Sequence, residues 1–214
     1  MIEDKGDEIL LTTTFFGPIE WYHHLYRADR VLLEACESYL KQTYRNRCII
    51  ATTNGLQALT VPVEHDSNSA PLTTHHSPLT IRDLRISNHG AWRRVHWNAL
   101  QSAYSESPFF EYYADDLHPF FEHDYTFLYD LNLDIMQKVC ELLDIHPHVE
   151  ETTEWVASTN RRDLRYTITP KGKHPSDFTP RPYWQVFDRK HGFLPNLSIL
   201  DLLFCKGPEA IFWL

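Results

Sequence analysis

The fold begins with the stretch Ile9-Leu10-Leu11-Thr12-Thr13-Thr14-Phe15-Phe16-Gly17-Pro18, an apolar and β-branched run that stops at a glycine and a proline. Such a run predicts a strand, and Gly-Pro predicts the turn that ends it. Residues 19–28 carry apolar side chains at helical spacing, and Pro18 suits the first position of a helix. Residues 30–35 are apolar again. This part of the chain therefore predicts a strand, a helix and a second strand.

The rest of the chain adds an antiparallel hairpin and several helices. Residues 48–51 and 59–63 are apolar and flank Thr53-Asn54-Gly55, in which Asn-Gly favours the positive φ angles of a tight turn. Helical spacing predicts further helices over residues 91–104, 109–117, 125–143 and 199–205. This order of elements predicts one domain of the α/β or α+β class over residues 9–214, with helices packed around a mixed β-sheet. Residues 1–8 are polar and are expected to be disordered.

Two stretches lack a regular apolar period and are expected to be loops. Residues 64–78 are rich in Ser, Thr, His and Pro, whereas residues 152–183 are basic and contain several prolines. A strand is expected after the first loop, near residues 79–86, and another inside the second loop, at residues 166–169. Loops of this length are uncommon unless they are functional or disordered. The sequence does not indicate what either loop does.

Composition argues against several classes of protein. The formal net charge of -9 disfavours nucleic-acid binding, which depends on basic side chains that neutralise phosphates. We find no apolar run of about 18 residues and no signal-peptide pattern, so the expected location is the cytoplasm, without a membrane span. The 13 histidines and 4 cysteines do not follow metal-ligand spacing, so no metal site is predicted. The sequence identifies no cofactor, and the cysteines are expected to be buried, reduced thiols.

A histidine and an asparagine interrupt apolar helix faces. His96 shares one face of the helix predicted over residues 91–104 with Trp92 and Leu100, and Asn132 lies in the apolar stripe of the helix over residues 125–143. Buried polar groups cost free energy unless they are hydrogen-bonded, so each needs a specific partner. His96 is therefore a candidate general acid or base, which Asn132 would orient. The alternative is that both are core residues with main-chain partners.

A second candidate pair lies near the carboxyl terminus. His191 precedes Gly192 in an irregular segment, where an imidazole is often accessible to ligands. Asp201 lies on a predicted apolar helix, from which it could hold an imidazole. Ordinary turn chemistry is the alternative for His191. For Asp201 the alternative is a capping box, since Ser198 lies three residues before it.

Basic residues cluster ahead of the predicted hairpin. Lys41, Arg45, Asn46 and Arg47 lie close together in an otherwise acidic chain. Arginine binds carboxylate and phosphate groups through two parallel hydrogen bonds, so the expected ligand carries an anionic group. A sugar-nucleotide diphosphate, a lipid-linked phosphate and an aminoacyl carboxylate all meet that requirement. The alternative is a solvated start of a strand, with an ion pair to Glu34 or Glu37.

Other residues could bind a ligand, but a role in the fold alone would also explain each of them. Glu20 lies in the first turn of the predicted helix over residues 19–28, where the helix dipole alone favours a carboxylate. Arg93 flanks His96 and could meet an anionic ligand. Flat aromatic rings can stack on a sugar, although core packing is their commoner role. The aromatic candidates are Trp21, Tyr22, Trp97 and Tyr112.

Nearly the whole chain resembles the WbqC-like family of bacterial proteins. The resemblance is carried, in order, by Gly17-Pro18-Ile19-Glu20-Trp21-Tyr22, residues 41–50, 59–63, 92–104 and 107–113, Leu131-Asn132, Tyr183-Trp184-Gln185-Val186-Phe187 and residues 191–204. It implies a single WbqC-like domain over residues 9–214. Because the family takes its name from surface-polysaccharide gene clusters, it also implies a role in making or decorating such glycans. It implies no catalytic residues.

Residues and resemblance together leave three functions open. The first is group transfer, by acyl or aminoacyl transfer or amide formation, onto a sugar intermediate of O-antigen-type polysaccharide synthesis. In this reaction His96 or His191 would deprotonate the acceptor substrate, and Asn132 or Asp201 would hold the imidazole. Arg45 with Arg47 would anchor the anionic substrate. The second is a non-catalytic protein that binds or assembles a saccharide or sugar nucleotide. The third is a structural subunit that forms a homodimer through exposed aromatic side chains.

Overall fold

A computed structural model describes residues 7–64, 80–157, 159–171 and 177–214. Its strands are β1 (Glu8–Thr12), β2 (Arg30–Glu34), β3 (Arg47–Thr52), β4 (Gly55–Thr60), β5 (Val149–Glu151) and β6 (Arg162–Asp163). Its α-helices are α1 (Ile19–Arg27), α2 (Trp92–Tyr104), α3 (Phe110–Leu117), α4 (Leu128–Leu142), α5 (Asp188–His191) and α6 (Ile199–Lys206). Shorter 3-10 helices span Ile81–Asp83, His118–Phe121 and Gly207–Trp213.

A parallel sheet forms the centre of the fold, with the strand order β5-β2-β1-β6. In the pairing of β1 with β2, Ile9 lies opposite Val31, and on the other side of β1 it lies opposite Arg162. Helix α1 connects β1 to β2, as parallel neighbours require. Ile9, Leu10 and Leu11 are all buried, because the sheet is covered on both faces. This explains why β1 is a continuous apolar run and not an alternating one.

The antiparallel hairpin is a separate small sheet. Strands β3 and β4 pair from Arg47 opposite Thr60 to Thr52 opposite Gly55, so the turn contains two residues. Gly55 has a φ of +100, a conformation that favours glycine. The N–H of Ser198 donates to the carbonyl of Ile49 at 2.8 Å, which attaches the start of α6 to the hairpin. The predicted α/β class and single domain are therefore confirmed, with the parallel and antiparallel pairs in two sheets.

Helices α4 and α6 supply much of the core. The stripe of Leu128, Leu131, Ile135 and Val139 on α4 is buried as the periodicity predicts. Helix α6 is buried from residue 199 to residue 205. Each fully buried Leu or Ile contributes about 1.5–3 kcal/mol relative to an exposed side chain. The hydroxyl of Ser198 caps α6 by accepting a hydrogen bond from the N–H of Leu200.

Several sequence predictions of local structure are wrong. Residues 166–169 form a turn and a bend instead of a strand, and the last strand lies earlier, at Arg162–Asp163, where it pairs with the open edge of β1. Residues 81–83 form a 3-10 helix instead of a strand. Helix α5 was not predicted at all. The expected loop over residues 64–78 lies almost wholly outside the described residues, as do residues 1–6 of the expected disordered segment.

Candidate functional site

His96 lies in the aromatic core below α2. Its ring centre is 5.2 Å from that of Trp92 and 6.1 Å from that of Phe15. Burial lowers the pKa of His96 to about 4, so the ring is neutral near pH 7. Within the described ranges, its Nδ1 has no hydrogen-bond partner. The expected contact with Asn132 is not formed.

Asn132 connects α4 to two chain segments at the carboxyl end of the parallel sheet. Its Nδ2 donates to the carbonyl of Arg45 at 2.8 Å and to the hydroxyl of Thr13 at 3.2 Å. The side chain is almost completely buried. Asn132 therefore holds the chain ahead of β3 against the end of β1, and it does not orient an imidazole.

Asp201 forms a separate buried cluster on α6. It accepts hydrogen bonds from the hydroxyls of Tyr183 at 2.5 Å and Tyr104 at 2.9 Å, and from Nε2 of Gln185 at 3.0 Å. Burial raises the pKa of the carboxyl group, although these three donors oppose that shift. Asp201 holds no imidazole. Its carboxylate binds these side chains and does not complete a capping box with Ser198.

His191 lies at the end of α5, against the turn of the hairpin. Its Nε2 lies 3.1 Å from the carbonyl oxygen of Thr52 and 3.2 Å from that of Thr53. Lys190 donates to the same Thr53 carbonyl at 2.7 Å. The four expected proton-transfer residues thus lie at separate places in the fold, and neither expected pairing of an imidazole with Asn132 or Asp201 is formed.

Arg45 is buried, and the expectation that it anchors a ligand is wrong. Its Nε donates to Glu37 Oε1 at 2.7 Å and its Nη2 donates to Glu37 Oε2 at 2.5 Å. Both side chains are only 1% exposed. The sequence alternative was a solvated start of a strand with an ion pair to Glu34 or Glu37; the structure has the pair with Glu37, but it is buried and not solvated.

The other members of the basic group line an open cleft of about 330 Å³. Its walls are formed by Tyr39, Lys41, Gln42, Asn46, Arg47 and residues 60–63. We call this the Lys41–Arg47 cleft. The volume falls in the range of small-molecule sites, about 300–1,000 Å³. Because the lining residues include two cations and no carboxylate, the cleft favours an anionic ligand.

Two polar atoms of the Lys41–Arg47 cleft residues lack partners. Asn46 is 4% exposed and donates through Nδ2 to the carbonyl of Val61 at 2.8 Å, but its Oδ1 accepts no hydrogen bond from the described residues. The Nε–H of Arg47 likewise donates to no acceptor in the described residues. An unpaired buried polar group costs about 1–3 kcal/mol. Because both atoms are shielded from solvent, a ligand can pair with them and recover that cost only if the Asn46 and Arg47 side chains shift on binding.

Tyr39 adds a hydroxyl to the same walls. Burial raises the pKa of Tyr39, whereas the positive charges of Arg47 and Arg45 oppose the shift. The phenol therefore stays protonated near pH 7 and can donate a hydrogen bond. A second cavity, beside Phe178 and Asn196, has a volume of only about 10 Å³. That volume suits about one water molecule, so the Lys41–Arg47 cleft is the better ligand site.

The candidates on α1 anchor that helix. The N–H of Glu20 donates to Asn196 Oδ1 at 2.9 Å, and Asn196 Nδ2 donates to Glu20 Oε2 at 2.7 Å. The indole of Trp21 donates to the carbonyl of Thr12 at 2.9 Å. Trp21 and Tyr22 are both buried. Glu20 thus binds the segment ahead of α6, and the two aromatic residues pack in the core.

The remaining candidates lie on and beside α2 and α3. Arg93 pairs with Asp124 at 3.1 Å, and the ring of Trp97 lies 4.4 Å from that of His118. Tyr112 is exposed on α3. None of these side chains lines the Lys41–Arg47 cleft.

Sequence reasoning missed a buried ionic cluster at the carboxyl ends of β2 and β6. Arg165 Nη1 donates to Glu34 Oε2 at 2.9 Å, and Arg165 Nη2 donates to Asp163 Oδ2 at 2.7 Å. Glu34 also accepts from the hydroxyl of Thr152 at 2.7 Å. A charged residue directly after an apolar run was the available signal for Glu34. Nothing local indicated that its partner would be Arg165, because the pair is distant in sequence.

The described part of the chain offers little for metal or thiol chemistry. No cluster of three or more His, Cys, Asp or Glu side chains in it is arranged to hold a metal ion. Burial raises the pKa of Cys48 to about 12, which leaves the thiol protonated and unreactive. In the same ranges no helix combines the length and apolar character needed to span a bilayer.

Comparison with known proteins identifies the family. The model of the WbqC-like protein family matches residues 13–174. An uncharacterised protein of Mycobacterium tuberculosis is 29% identical over 207 residues, which cover 85% of this chain and 86% of that protein. No solved structure gives a significant match. The family model covers most of the chain, including every residue named on the walls of the Lys41–Arg47 cleft, so the chain belongs to the WbqC-like protein family.

Proposed function

We propose that this protein binds an anionic sugar derivative, a sugar phosphate or a sugar nucleotide, in the Lys41–Arg47 cleft. The observation that carries the proposal is the presence of two unpaired polar atoms, Arg47 Nε and Asn46 Oδ1, on adjacent cleft residues. The first needs an acceptor and the second needs a donor. A phosphate oxygen beside a sugar hydroxyl supplies both.

Charge supports the same ligand class. The chain carries a formal net charge of -9, yet Lys41 and Arg47 meet in a cleft without a lining carboxylate. A patch of positive charge on a negatively charged protein raises the concentration of anions at that patch. Arg47 can also form charge-assisted hydrogen bonds, which are about twice as strong as neutral ones.

The cleft favours binding over group transfer. Its walls contain no imidazole, carboxylate or thiol. His96 and His191, the groups expected to accept a proton, contact Trp92 and the hairpin turn instead. A transfer reaction would therefore need a proton acceptor from outside the cleft. We accordingly assign the protein a binding or assembly role in the synthesis of a surface polysaccharide.

Isothermal titration with glucose 1-phosphate and with UDP-glucose tests this function. We expect at least one of them to bind, and Arg47→Ala to weaken that binding at least about tenfold, because a charge-assisted hydrogen bond contributes about 1.5–3 kcal/mol. Lys41→Ala should weaken it less, since this side chain is exposed. Arg94→Ala, an equal loss of charge at an exposed site on α2, is the matched control and should have no effect.

Three results would overturn the proposal. The first is that neither compound binds the wild-type protein. The second is that Arg47→Ala binds as tightly as the wild type, and the third is that Arg94→Ala loses as much affinity as Arg47→Ala. Thermal unfolding of each variant shows whether it is folded under the titration conditions.

A further inference from the structure

Two exposed aromatic rings lie against one buried arginine. Trp155 is 45% exposed and Tyr166 is 42% exposed. The Cζ atom of Arg165 lies 4.5 Å from the ring centre of Trp155 and 5.5 Å from that of Tyr166. We call these three residues the aromatic platform. Cation–π contacts of this kind hold both rings while leaving part of each ring open to solvent.

The arginine of the aromatic platform is rigidly held. Arg165 is 2% exposed, and its Nη1 donates to Glu34 Oε2 at 2.9 Å. Its Nε and Nη2 donate to the carboxylate of Asp163 at 3.0 Å and 2.7 Å. Because both ends of the guanidinium are fixed, the cation against which the two rings pack is in place before a ligand arrives.

The aromatic platform lies where parallel α/β sheets commonly bind ligands. Glu34 ends β2, Asp163 ends β6, and Trp155 follows the carboxyl end of β5. The strand order is β5-β2-β1-β6. From β1 the chain adds β2 and then β5 on one side, and it adds β6 on the other side of β1. Ligand sites in open parallel sheets lie outside the carboxyl ends of the strands at such a reversal.

Arg45 connects the aromatic platform with the Lys41–Arg47 cleft. Its Cζ lies 5.9 Å from the ring centre of Tyr166, while its main chain continues directly into Asn46 and Arg47. The positive charge of Arg45 also acts on the pKa of Tyr39, which lines the cleft. Because Arg45 is only 1% exposed, it joins the platform to the chain segment of the cleft through the protein interior.

We propose that the aromatic platform stacks against the C–H face of a hexopyranose ring whose phosphate lies in the Lys41–Arg47 cleft, an inference that rests on the proposed function. The exposed parts of Trp155 and Tyr166 supply flat apolar area. Beside them, the carboxylate of Asp163 is 32% exposed and can accept a hydrogen bond from a sugar hydroxyl, whereas Glu34 is buried and its oxygens already accept hydrogen bonds within the protein.

The test compares inorganic phosphate, glucose 1-phosphate and UDP in calorimetric titrations of the full chain. We expect Trp155→Ala and Tyr166→Ala each to weaken glucose 1-phosphate binding about tenfold, the size of one lost stacking contact, and to leave phosphate binding unchanged. Trp184→Ala and Tyr26→Ala are matched controls, because these side chains are 47% and 39% exposed outside the platform. Both controls should bind each compound as the wild type does.

The outcomes separate this inference from the proposed function. If neither glucose 1-phosphate nor UDP-glucose binds, the proposed function fails and the stacking proposal fails with it. If phosphate binds but glucose 1-phosphate binds no more tightly, or the platform variants keep wild-type affinity for it, only the stacking proposal is wrong. If the platform variants weaken UDP and not glucose 1-phosphate, the platform binds a nucleobase and the sugar assignment is overturned.

A more conservative substitution shows whether weaker binding comes from lost stacking or from a folding defect. Trp155→Phe keeps an aromatic ring over Arg165 but reduces the stacking area. We expect this variant to unfold at the wild-type temperature and to bind glucose 1-phosphate about threefold more weakly, with unchanged phosphate affinity. A change in intrinsic fluorescence on adding glucose 1-phosphate should be present in the wild type and absent in Trp155→Phe. If the change persists in that variant, Trp155 does not contact the sugar.

Discussion

Arg45 and Glu37 form an ion pair that is almost completely shielded from solvent. Two hydrogen bonds join the guanidinium to the carboxylate, and the hydroxyl of Thr12 donates to the same carboxylate. The pair therefore fastens the chain just ahead of β3 to the end of β1. Because Asn46 and Arg47 follow Arg45 directly, the pair also fixes the wall of the Lys41–Arg47 cleft.

Breaking that pair should destabilise the protein strongly. We expect Glu37→Gln to lower the free energy of unfolding by about 3–5 kcal/mol, because it leaves the charge of Arg45 buried without a counter-charge. Glu64→Gln is the matched control, since Glu64 pairs with Arg85 at 3.4 Å where both are exposed, and it should cost less than about 1 kcal/mol. Urea unfolding measures both values. Equal losses in the two variants would contradict the burial of the pair.

His96 should make the protein less stable in acid. Burial depresses the pKa of His96 to about 4 from 6.5, so the unfolded chain takes up the proton first as the pH falls. Stability is thus intact above pH 6.5 and is lost between pH 6.5 and pH 4. For this residue we expect a loss of about 2 kcal/mol between pH 7.5 and pH 5.

The measurement for His96 is urea unfolding at those two pH values. His96→Gln should lose about 2 kcal/mol less than the wild type between them. Part of the pH dependence should remain, because burial also lowers the pKa of His24 to about 4. His146→Gln, a change at an exposed imidazole, should follow the wild type. An unchanged loss in His96→Gln would show that the ring is solvated in the folded protein.

Removing Asp201 should affect stability more through its acceptor oxygens than through its charge. Asp201→Ala leaves the donors of Tyr104, Tyr183 and Gln185 without their acceptor, so we expect a loss of about 3 kcal/mol or more. Asp201→Asn keeps one acceptor oxygen and removes a carboxylate whose pKa burial raises, so its loss should be smaller. Thermal unfolding distinguishes the two variants. If Asn is as damaging as Ala, the negative charge itself is required.

Local sequence patterns predicted the elements whose conformation depends on residues close to them in the chain. The apolar run of β1, the helical spacing of α1 and the Asn-Gly turn of the hairpin all lie close to the predicted positions. Strand β6 was misplaced because, in the described ranges, it pairs only with the edge of β1, which is roughly the whole domain away in sequence. A two-residue strand has no period of its own to detect.

The candidate site was predictable only in part, for a related reason. Clustered charges drew attention to Lys41, Asn46 and Arg47, which line the cleft, yet the same pattern included Arg45, which is buried against Glu37. Arg45 and Arg47 lie two residues apart but have different surroundings. The sequence alone does not show which side chains face each of them. The position of His96 on an apolar helix face predicted its burial but not that aromatic rings would surround it.

The most direct test of the cleft is a nuclear magnetic resonance titration that follows the side-chain N–H signals of Arg47 and Asn46 as glucose 1-phosphate is added. We expect the Arg47 Nε–H and Asn46 amide signals to shift with a saturating curve, because Arg47 Nε gains an acceptor and Asn46 Oδ1 gains a donor. The curve should give the dissociation constant found by calorimetry. If the ligand saturates the protein while both signals stay in place, it binds elsewhere, and the assignment of the Lys41–Arg47 cleft is contradicted.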